Sequence, residues 1–358
     1  MSSARESSKY FVYAGTYGEG IYAFQVDPAG PRFEPLGLAG AIPNPSWITP
    51  DRDYKFLYAV SELEGDAEGG VASFSIDRKT ADLHLLNSLP SGGVAPCHLT
   101  LDSTGKVLLV ANYMTGTVSA YPIEQDGQAG SMASLMSAEG HGPNLKRQEG
   151  PHAHMVHALK GSNIIYVADL GLDRIRLYRL DPARAALTPN DPPFVQLEPG
   201  FGPRHFVFSK DNKFMYLLNE LQPRVTVLTH DPATGRMVPI QTVPTLPADF
   251  TQETTGAEIA LDSAGQYLYT SNRGHDSIQV FAVDREKGML TPTQIIPVAG
   301  KTPRGFIIDP SGRLLIVGGQ GSNSLEYFFI DDETGRLTPG KEMIDVPSPV
   351  DVKCMPVL

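Results

Sequence analysis

Short apolar runs separated by turn-forming residues extend along almost the whole chain. The runs are rich in Val, Ile, Leu, Tyr and Phe, and Gly, Pro, Asp and Asn lie between them. Runs of about four to eight residues with this composition are typical of β-strands rather than helices. Segments of the form Asp-x-x-Gly, at residues 102–105, 262–265 and 309–312, have the composition of tight turns between neighbouring strands. The pattern therefore predicts an all-β chain.

One unit of this pattern recurs about every fifty residues. Its most regular apolar run, which ends in small or polar residues, occurs at residues 12–17, 57–62, 108–113, 165–170, 215–220, 268–273 and 315–320. The turns place four antiparallel strands in each unit. A single four-stranded sheet cannot bury both of its faces, and radial stacking of such sheets produces a β-propeller. We therefore predict a seven-bladed β-propeller built from four-stranded antiparallel blades.

The two ends of the chain predict how the ring closes. The first unit begins at its second strand, whereas residues 349–357 have the pattern of a first strand that follows the seventh unit. We expect this C-terminal strand to join the N-terminal blade and to leave no open edge there. Cys354 is then expected to be a buried strand residue. Residues 1–9 are predicted to be a flexible tail, and residues 10–358 a single propeller domain.

Polar residues collect in two alignment columns of the repeat. One column is the start of the first strands and the other is the end of the second strands, so both are expected at the same rim of the central channel. A polar lining of a water-filled channel would explain the polarity alone, but not the pairing of arginines with histidines. The candidate site residues in or next to these columns are His98, Asn112, His152, His154, Arg204, His205, Glu220, Glu258, Arg273, His275, Arg304 and Gln320.

The charged members of this set suggest an anion-binding site. Arg204 and Glu220 lie on adjacent strands of one blade, and Arg273 has the matching place in the next blade. An ordinary salt bridge is one interpretation of such a pair. Two guanidiniums around one carboxylate, however, leave surplus positive charge, which suits an anionic substrate or a developing oxyanion.

The motif Pro-His-Ala-His at residues 151–154 supplies two imidazoles that are expected on the same side of a strand. A general base or a hydrogen-bonding histidine is the favoured interpretation. A metal site is the alternative, and it would need a third ligand such as His98, His205 or Glu258. The insertion at residues 124–150 leads into this motif and is expected to be either a flap over the mouth or a surface loop.

Composition narrows the possible partners. The net charge of −11, from 29 basic and 40 acidic residues, argues against a general nucleic-acid or anionic-membrane binder. No apolar run reaches membrane-spanning length, and residues 1–9 are polar rather than signal-like. Two cysteines form no disulfide framework. We therefore expect a cytoplasmic protein, and the oligomeric state cannot be read from the sequence.

Several motifs resemble those of a known family. They are Pro-His-Ala-His (151–154), Asp-Leu-Gly-Leu-Asp-Arg (169–174), Gly-Pro-Arg-His (202–205), Asn-Glu-Leu (219–221), Ser-Asn-Arg-Gly-His-Asp-Ser-Ile (271–278) and Pro-Arg-Gly-Phe (303–306). Together the chain resembles the seven-bladed lactonase family, which includes propeller-type 6-phosphogluconolactonases and fungal carboxy-cis,cis-muconate lactonizing enzymes. The resemblance implies a site without metal or other cofactor, formed by His152 or His154 with Arg204, Glu220 and Arg273.

The function that this resemblance implies is hydrolysis of a sugar lactone, with 6-phosphogluconolactone as the favoured substrate. The alternatives are a muconate-type lactonizing enzyme and a non-catalytic interaction platform. Arg204 and Arg273 are expected to polarise the lactone carbonyl. Because guanidiniums lower the pKa of a carboxylate, we assign the base to His154 or His152 and an orienting role to Glu220. Asp351, in the closing strand, departs from the uncharged residue expected there.

Overall fold

Seven four-stranded antiparallel sheets make up the part of the chain that this computed structural model describes, residues 9–63, 65 and 68–357. Residues 1–8 of the predicted tail lie outside the described residues. The first three strands are β1 (Tyr10–Thr16), β2 (Gly20–Asp27) and β3 (Arg32–Ala41). Blade 2 contains β4 (Ile48–Pro50), β5 (Phe56–Ser61), β6 (Gly70–Ile76) and β7 (Leu83–Pro90). The predicted seven-bladed propeller is confirmed.

The next three blades follow the same order along the chain. Blade 3 contains β8 (Pro96–Leu101), β9 (Val107–Asn112), β10 (Val118–Pro122) and β11 (Ser134–Met136). Blade 4 contains β12 (Ala153–Ala158), β13 (Ile164–Asp169), β14 (Arg174–Asp181) and β15 (Ala186–Gln196). Blade 5 contains β16 (Pro203–Phe208), β17 (Phe214–Asn219), β18 (Arg224–His230) and β19 (Met237–Pro244).

Two further blades and one closing strand complete the ring. Blade 6 contains β20 (Thr255–Leu261), β21 (Tyr267–Arg273), β22 (Ser277–Val283) and β23 (Leu290–Pro297). Blade 7 contains β24 (Pro303–Ile308), β25 (Leu314–Gly319), the 3₁₀ turn Gln320–Ser322, β26 (Ser324–Ile330) and β27 (Leu337–Asp345). The last strand is β28 (Pro349–Pro356). None of the helical segments in the described part of the chain has the length and apolar character needed to cross a membrane.

The hydrophobic core lies between the blades rather than at the axis. Seven clusters of buried apolar residues each span two neighbouring blades, including the pair formed by blades 7 and 1. Every residue of β9, β13, β17 and β25, which are second strands of their blades, is buried. These strands pack on both faces, so they are nearly continuous apolar runs rather than alternating ones. The fourth strands, such as β3, are largely exposed.

Tyrosines of the second strands join successive blades by hydrogen bonds. The hydroxyl of Tyr13 donates to the carbonyl of Ala81 at 2.9 Å, and that of Tyr58 donates to the carbonyl of Gly127 at 3.0 Å. Tyr269 makes the same contact with blade 7. Each bond connects a buried side chain to a turn of the following blade, and bonds of this kind contribute about 1 kcal/mol each.

The Asp-x-x-Gly turns connect first to second strands as predicted. In the turn at residues 102–105, Asp102 Oδ1 accepts from the amides of Lys106 at 2.8 Å and Val107 at 2.9 Å. Gly105 has φ of +73°, a conformation that side chains other than glycine rarely adopt. The equivalent aspartate of blade 7, Asp309, makes the same two bonds. The aspartate side chain therefore accepts hydrogen bonds from backbone amides at the point where the turn interrupts the pairing of the strands.

Ring closure by the C-terminal strand is confirmed. β28 pairs antiparallel with β1, from Tyr10 opposite Pro356 to Thr16 opposite Pro349, and it is the innermost strand of blade 1. The expectation for Cys354 is wrong, because this residue is only partly buried. In the innermost strands β8, β12 and β16, the fifth and sixth residues are likewise only partly buried. Cys354 is the sixth residue of β28.

Asp351 is the unexpected charged residue of the closing strand, and it joins blade 1 to blade 2. Its Oδ2 accepts from the amide of Ile48 at 2.9 Å, and its Oδ1 lies 2.5 Å from Lys353 Nζ. Because Ile48 begins the innermost strand of blade 2, the carboxylate connects the last strand of the chain to the next blade.

Replacing a buried valine of the closing strand should destabilise the whole ring. Val352 is fully buried, and V352A removes two methyl groups from the cluster between blades 7 and 1. We expect a loss of roughly 2 kcal/mol in the free energy of unfolding, measured by urea denaturation. The control V238A changes a valine that is 61% exposed and should cost less than about 0.5 kcal/mol. Equal losses would contradict the role of β28 in the core.

Candidate active site

The innermost strands are irregular at the point where they enter the sheet. The pairing of β8 with β9 skips Cys97, and the pairings of β12, β16 and β24 with their neighbours skip His154, Arg204 and Arg304. An extra, unpaired residue of this kind is a β-bulge, which redirects a side chain. The same bulge therefore occurs in four blades. Three of the four bulge side chains, those of Cys97, His154 and Arg304, line the same cavity.

That cavity has a volume of about 290 Å³ and lies at one mouth of the channel. Every blade contributes a residue from the start of its first strand or the end of its second. The lining residues are Tyr17, Glu62, Ala95, Cys97, Tyr113, Met114, Arg147, His154, Glu220, Thr255, Arg273 and Arg304. The two alignment columns identified in the sequence thus meet at one place. Pockets of about this size are typical of small-molecule sites.

Glu220 is the centre of an ion-pair cluster in this cavity. Its Oε2 lies 3.0 Å from Arg204 Nε and 3.1 Å from Arg273 Nη2, and its Oε1 lies 2.6 Å from Arg147 Nη2. Burial alone would raise the pKa of Glu220, but the guanidiniums of Arg273, Arg204 and Arg147 outweigh burial and lower the pKa to about 2. The carboxylate is therefore ionised at any working pH.

Backbone carbonyls at the start of β20 fix two of these guanidiniums. Arg204 Nη1 donates to the carbonyl of Ala257, and Arg273 Nη2 donates to the carbonyl of Gly256 at 2.9 Å. Burial lowers the pKa of Arg273 to about 10, and both arginines remain protonated near neutral pH. Blade 6 thus supplies Arg273 and also the carbonyl that binds Arg204 of blade 5. Both guanidiniums are therefore held in fixed positions.

His154 lies beside this cluster as a neutral imidazole. Its Nε2 is 3.7 Å from Glu220 Oε2, and its Nδ1 is 3.9 Å from Cys97 Sγ. Burial first, and then the charge of Arg204, hold the pKa of His154 well below its ordinary value. Burial raises the pKa of the Cys97 thiol, so this thiol is also neutral. An uncharged imidazole next to a carboxylate is able to accept a proton from water.

Arg147 was not identified from the sequence, although the insertion that carries it was. The end of the insertion at residues 124–150 lies over the mouth of the cavity, where Arg147 reaches both Glu220 and the hydroxyl of Tyr113, the latter at 3.2 Å. Gln148 is fully buried, and its Nε2 donates to the carbonyl of Leu170 at 2.8 Å. That amide anchors the flap, while the side chain of Arg147 is 40% exposed.

Three other predicted residues form a separate cluster beside the cavity. His205 Nδ1 lies 3.1 Å from both carboxylate oxygens of Glu258, and the ring of His98 packs on Trp47 at a centroid distance of 4.1 Å. None of the three lines the cavity. The rings of His154 and His205 are 5.1 Å apart, so the two clusters adjoin. Burial raises the pKa of Glu258 to about 7.

His152 and Asn112 have partners that support the cavity wall rather than line it. His152 stacks on Tyr113 at 4.5 Å, and its Nδ1 lies 2.9 Å from the carbonyl of Tyr113. Asn112 is fully buried and donates to the carbonyl of Ser91 and the hydroxyl of Thr117, both at 3.1 Å. Of the two imidazoles in the Pro-His-Ala-His motif, the structure brings only His154 into the cavity.

His275 and Gln320 also lie outside the cavity lining. His275 Nδ1 is 2.7 Å from the hydroxyl of Ser277, and its ring packs against Phe250. Gln320 begins the short 3₁₀ turn after β25. No group of three or more His, Cys, Asp or Glu residues within the described ranges has the geometry to hold a metal ion.

Three residues at the ends of second strands that were not chosen as candidates, Tyr17, Glu62 and Tyr113, do line the cavity. Tyr17 follows β1, and its hydroxyl donates to Oε1 of Glu62, which follows β5, at 2.9 Å. Arg304 Nη2 donates to the same hydroxyl at 2.8 Å. Their position at the end of second strands was the available signal.

The raised pKa of Glu258 predicts a pH-dependent contribution to stability. The folded protein holds a proton that the unfolded chain, with a pKa near 4.5, releases. This contribution is therefore complete below about pH 4.5 and is lost as the pH rises through about 7. E258Q cannot ionise, so the fall in unfolding free energy between pH 5 and pH 8 should shrink by roughly 1–3 kcal/mol relative to wild type.

Urea denaturation at both pH values measures this difference. The matched control is E342Q, which changes an exposed glutamate of β27 and should keep the wild-type pH dependence. An E258Q protein whose stability depends on pH as the wild type does would show that Glu258 is ionised in the native state.

Comparison with known proteins agrees with the architecture and with the motifs. The family model described as Lactonase, 7-bladed beta-propeller, matches residues 11–354. A 6-phosphogluconolactonase of Bacillus subtilis is 35% identical over 304 residues, which cover 84% of this chain and 85% of the relative. A 6-phosphogluconolactonase of Formosa agariphila is 30% identical over 294 residues, covering 81% and 82% of the two chains.

A solved structure extends the likeness to nearly the whole chain. The periplasmic gluconolactonase of Pseudomonas aeruginosa superposes with a TM-score of 0.92 at 31% identity, covering 98% of this chain and all of its own. The chain therefore belongs to the seven-bladed β-propeller lactonase family and is a lactone hydrolase, as its motifs predicted.

Proposed function

We propose that the protein hydrolyses 6-phosphoglucono-1,5-lactone to 6-phosphogluconate in the cavity at the channel mouth. The observation that carries this proposal is the cluster in which Arg204 and Arg273 flank Glu220 beside the neutral imidazole of His154. The names of the Bacillus and Formosa relatives support the substrate. They also favour hydrolysis over the muconate-type lactonization that the motifs left open.

Hydrolysis requires a site that polarises the lactone carbonyl and stabilises the oxyanion formed when water attacks it. Arg273 lines the cavity, is fixed by a backbone carbonyl and keeps its positive charge. A fixed cation in a water-poor site stabilises developing negative charge without reorganising as the reaction proceeds. We assign this role to Arg273, with Arg204 supplying a second positive charge behind Glu220.

His154 is the proposed general base. Glu220 is a poor base because three guanidiniums hold its pKa near 2, so its role is to orient the arginines. The imidazole takes a proton from water as the water oxygen bonds to the carbonyl carbon. When the ring carbon–oxygen bond breaks, the imidazolium returns the proton to the departing ring oxygen. Assistance of this kind contributes about 10²–10⁴-fold.

The remaining parts of the proposal concern partners and location. The substrate is a small anionic lactone, and the net charge of −11 disfavours nucleic acids and anionic membranes as partners. The proposed reaction uses side chains alone, with no cofactor. A cytoplasmic location is supported by the free thiols of Cys97 and Cys354, although the Pseudomonas neighbour is described as periplasmic.

Removing either the base or the oxyanion-stabilising charge should abolish most of the activity. H154A and R273A should each lower kcat for 6-phosphoglucono-1,5-lactone by about 10²–10³-fold, measured as acid release after subtraction of spontaneous hydrolysis. H84A, which changes an exposed histidine of β7, is the control and should retain wild-type activity. Retention of full activity by both site variants, with unchanged thermal unfolding, would refute the assignment.

The lowered pKa of His154 should be visible in the pH dependence of the rate. A base with an ordinary pKa of about 6.5 would lose about threefold in kcat/KM between pH 7 and pH 6. Because His154 stays neutral over this interval, we expect kcat/KM for glucono-1,5-lactone, which has no titrating phosphate, to be nearly constant. A threefold loss would mean that the base has an ordinary pKa.

A further inference from the structure

Two arginines have the same place in different blades but different surroundings. Arg204 and Arg304 are the bulge residues of β16 and β24, and each follows a proline. At the end of the second strand of blade 5, Glu220 pairs with Arg204 at 3.0 Å. The corresponding residue of blade 7 is Gln320, which has no charge and does not line the cavity. Blade 7 therefore supplies a guanidinium without a carboxylate.

The only hydrogen bond of Arg304 in the described part of the chain is to the hydroxyl of Tyr17, at 2.8 Å. Across the described residues, no carboxylate lies within 4 Å of its guanidinium, which is the separation expected of an ion pair. Tyr17 in turn donates to Oε1 of Glu62 at 2.9 Å. The tyrosine fixes the direction of the guanidinium, whose carbon lies 5.1 Å from the centroid of the Tyr17 ring. Arg304 is thus held in place in the cavity wall, and its other guanidinium N–H groups have no hydrogen-bond partner among the described residues.

The charges around the cavity are not balanced. Arg147, Arg273 and Arg304 line it, and Arg204 adds a fourth guanidinium through its ion pair with Glu220. The carboxylates that line it are those of Glu62 and Glu220. Two positive charges are therefore in excess among these groups, because the His154 imidazole and the Cys97 thiol are neutral. A phosphate monoester carries a charge close to −2 at neutral pH.

The charged residues of the cavity wall form two sets on adjoining arcs of the ring. His154, Glu220 and Arg273 come from blades 4, 5 and 6, whereas Arg304, Tyr17 and Glu62 come from blades 7, 1 and 2. A substrate whose carbonyl oxygen lies against Arg273 of blade 6 can reach Arg304, in the adjacent blade 7, with the group that it carries on C6. In a hexono-1,5-lactone 6-phosphate, the ring oxygen joins C1 to C5, and the phosphate on C6 lies just outside the ring, within reach of a neighbouring part of the cavity wall.

We propose that Arg304, oriented by Tyr17, binds the phosphate group of the substrate and makes the cavity selective for phosphorylated lactones. This inference rests on the proposed hydrolysis of a sugar lactone by the same cavity. A guanidinium binds phosphate through two parallel hydrogen bonds, which a lysine or a glutamine does not reproduce. A terminal carboxylate would offer similar geometry with less charge, so the substrate series below separates the two anions.

The test compares kcat/KM for three lactones: 6-phosphoglucono-1,5-lactone, glucono-1,5-lactone and a hexonolactone with a carboxylate at C6. In R304Q, the preference for the phosphorylated over the unphosphorylated lactone should fall about 10–100-fold, the effect of one lost charge-assisted contact. R304K, which keeps the charge, should retain part of the preference. Y17F should lower it less than R304Q does, chiefly through KM.

The matched control is R313Q, which changes an exposed arginine of the same blade and should leave the preference at its wild-type value. Equal losses on all three lactones in R304Q would overturn the inference and leave the proposed hydrolysis intact. A wild-type preference for the C6 carboxylate over the phosphate would overturn the choice of anion.

A binding measurement separates failure of the inference from failure of the proposed function. Inorganic phosphate should bind the wild-type protein at least tenfold more tightly than R304Q in isothermal titration calorimetry, whether or not any lactone is hydrolysed. If the wild type hydrolyses none of the lactones, the proposed function fails. Equal phosphate affinity of the wild type and R304Q would overturn the proposed phosphate subsite, whatever the outcome of the hydrolysis assay.

Discussion

The pairing of β28 with β1 is the constraint on which the rest of the structure depends. A propeller blade has two apolar faces, and each face is buried only while the neighbouring blade is present. Without the closing strand, blade 1 would lose its innermost strand and the cluster between blades 7 and 1 would open. Asp351 extends the closure to blade 2 through the amide of Ile48. Because all seven blades contribute to the cavity lining, the site exists only in the closed ring.

The cost of burying charge explains the arrangement inside the cavity. Moving a carboxylate or a guanidinium out of water costs several kcal/mol unless partners compensate for it. Glu220 is compensated by three guanidiniums, and two of these are fixed in turn by carbonyls at the start of β20. His154 and Cys97 respond to the same environment by remaining neutral. Charge, burial and rigidity are therefore properties of one cluster, and His154 adjoins the ionised Glu220 as a neutral imidazole.

Departures from sevenfold symmetry create the chemistry. The bulge that aims Cys97, His154, Arg204 and Arg304 toward the axis is repeated, but the residue placed in it changes from blade to blade. The apolar positions of the repeat are alike in all blades and form the core, whereas the rim positions differ from blade to blade. Packing and function therefore depend on separate residues. The replacement of the carboxylate by Gln320 in blade 7 is one such departure, and it leaves an arginine available to a ligand.

The sequence by itself determined the strands, the turns, the number of blades and the closing strand, because apolar runs and turn residues such as Asp102 act locally and the repeat multiplies the signal. It also determined which columns meet at the rim. Only the tertiary structure decided which members of those columns line the cavity. His154 and Arg304 do so, whereas His98 packs on Trp47 outside the lining, because the one-residue bulge falls on His154 and Arg304 but on Cys97 rather than His98. Arg147 reaches Glu220 through a loop whose path is fixed by contacts distant in sequence, which no local pattern records.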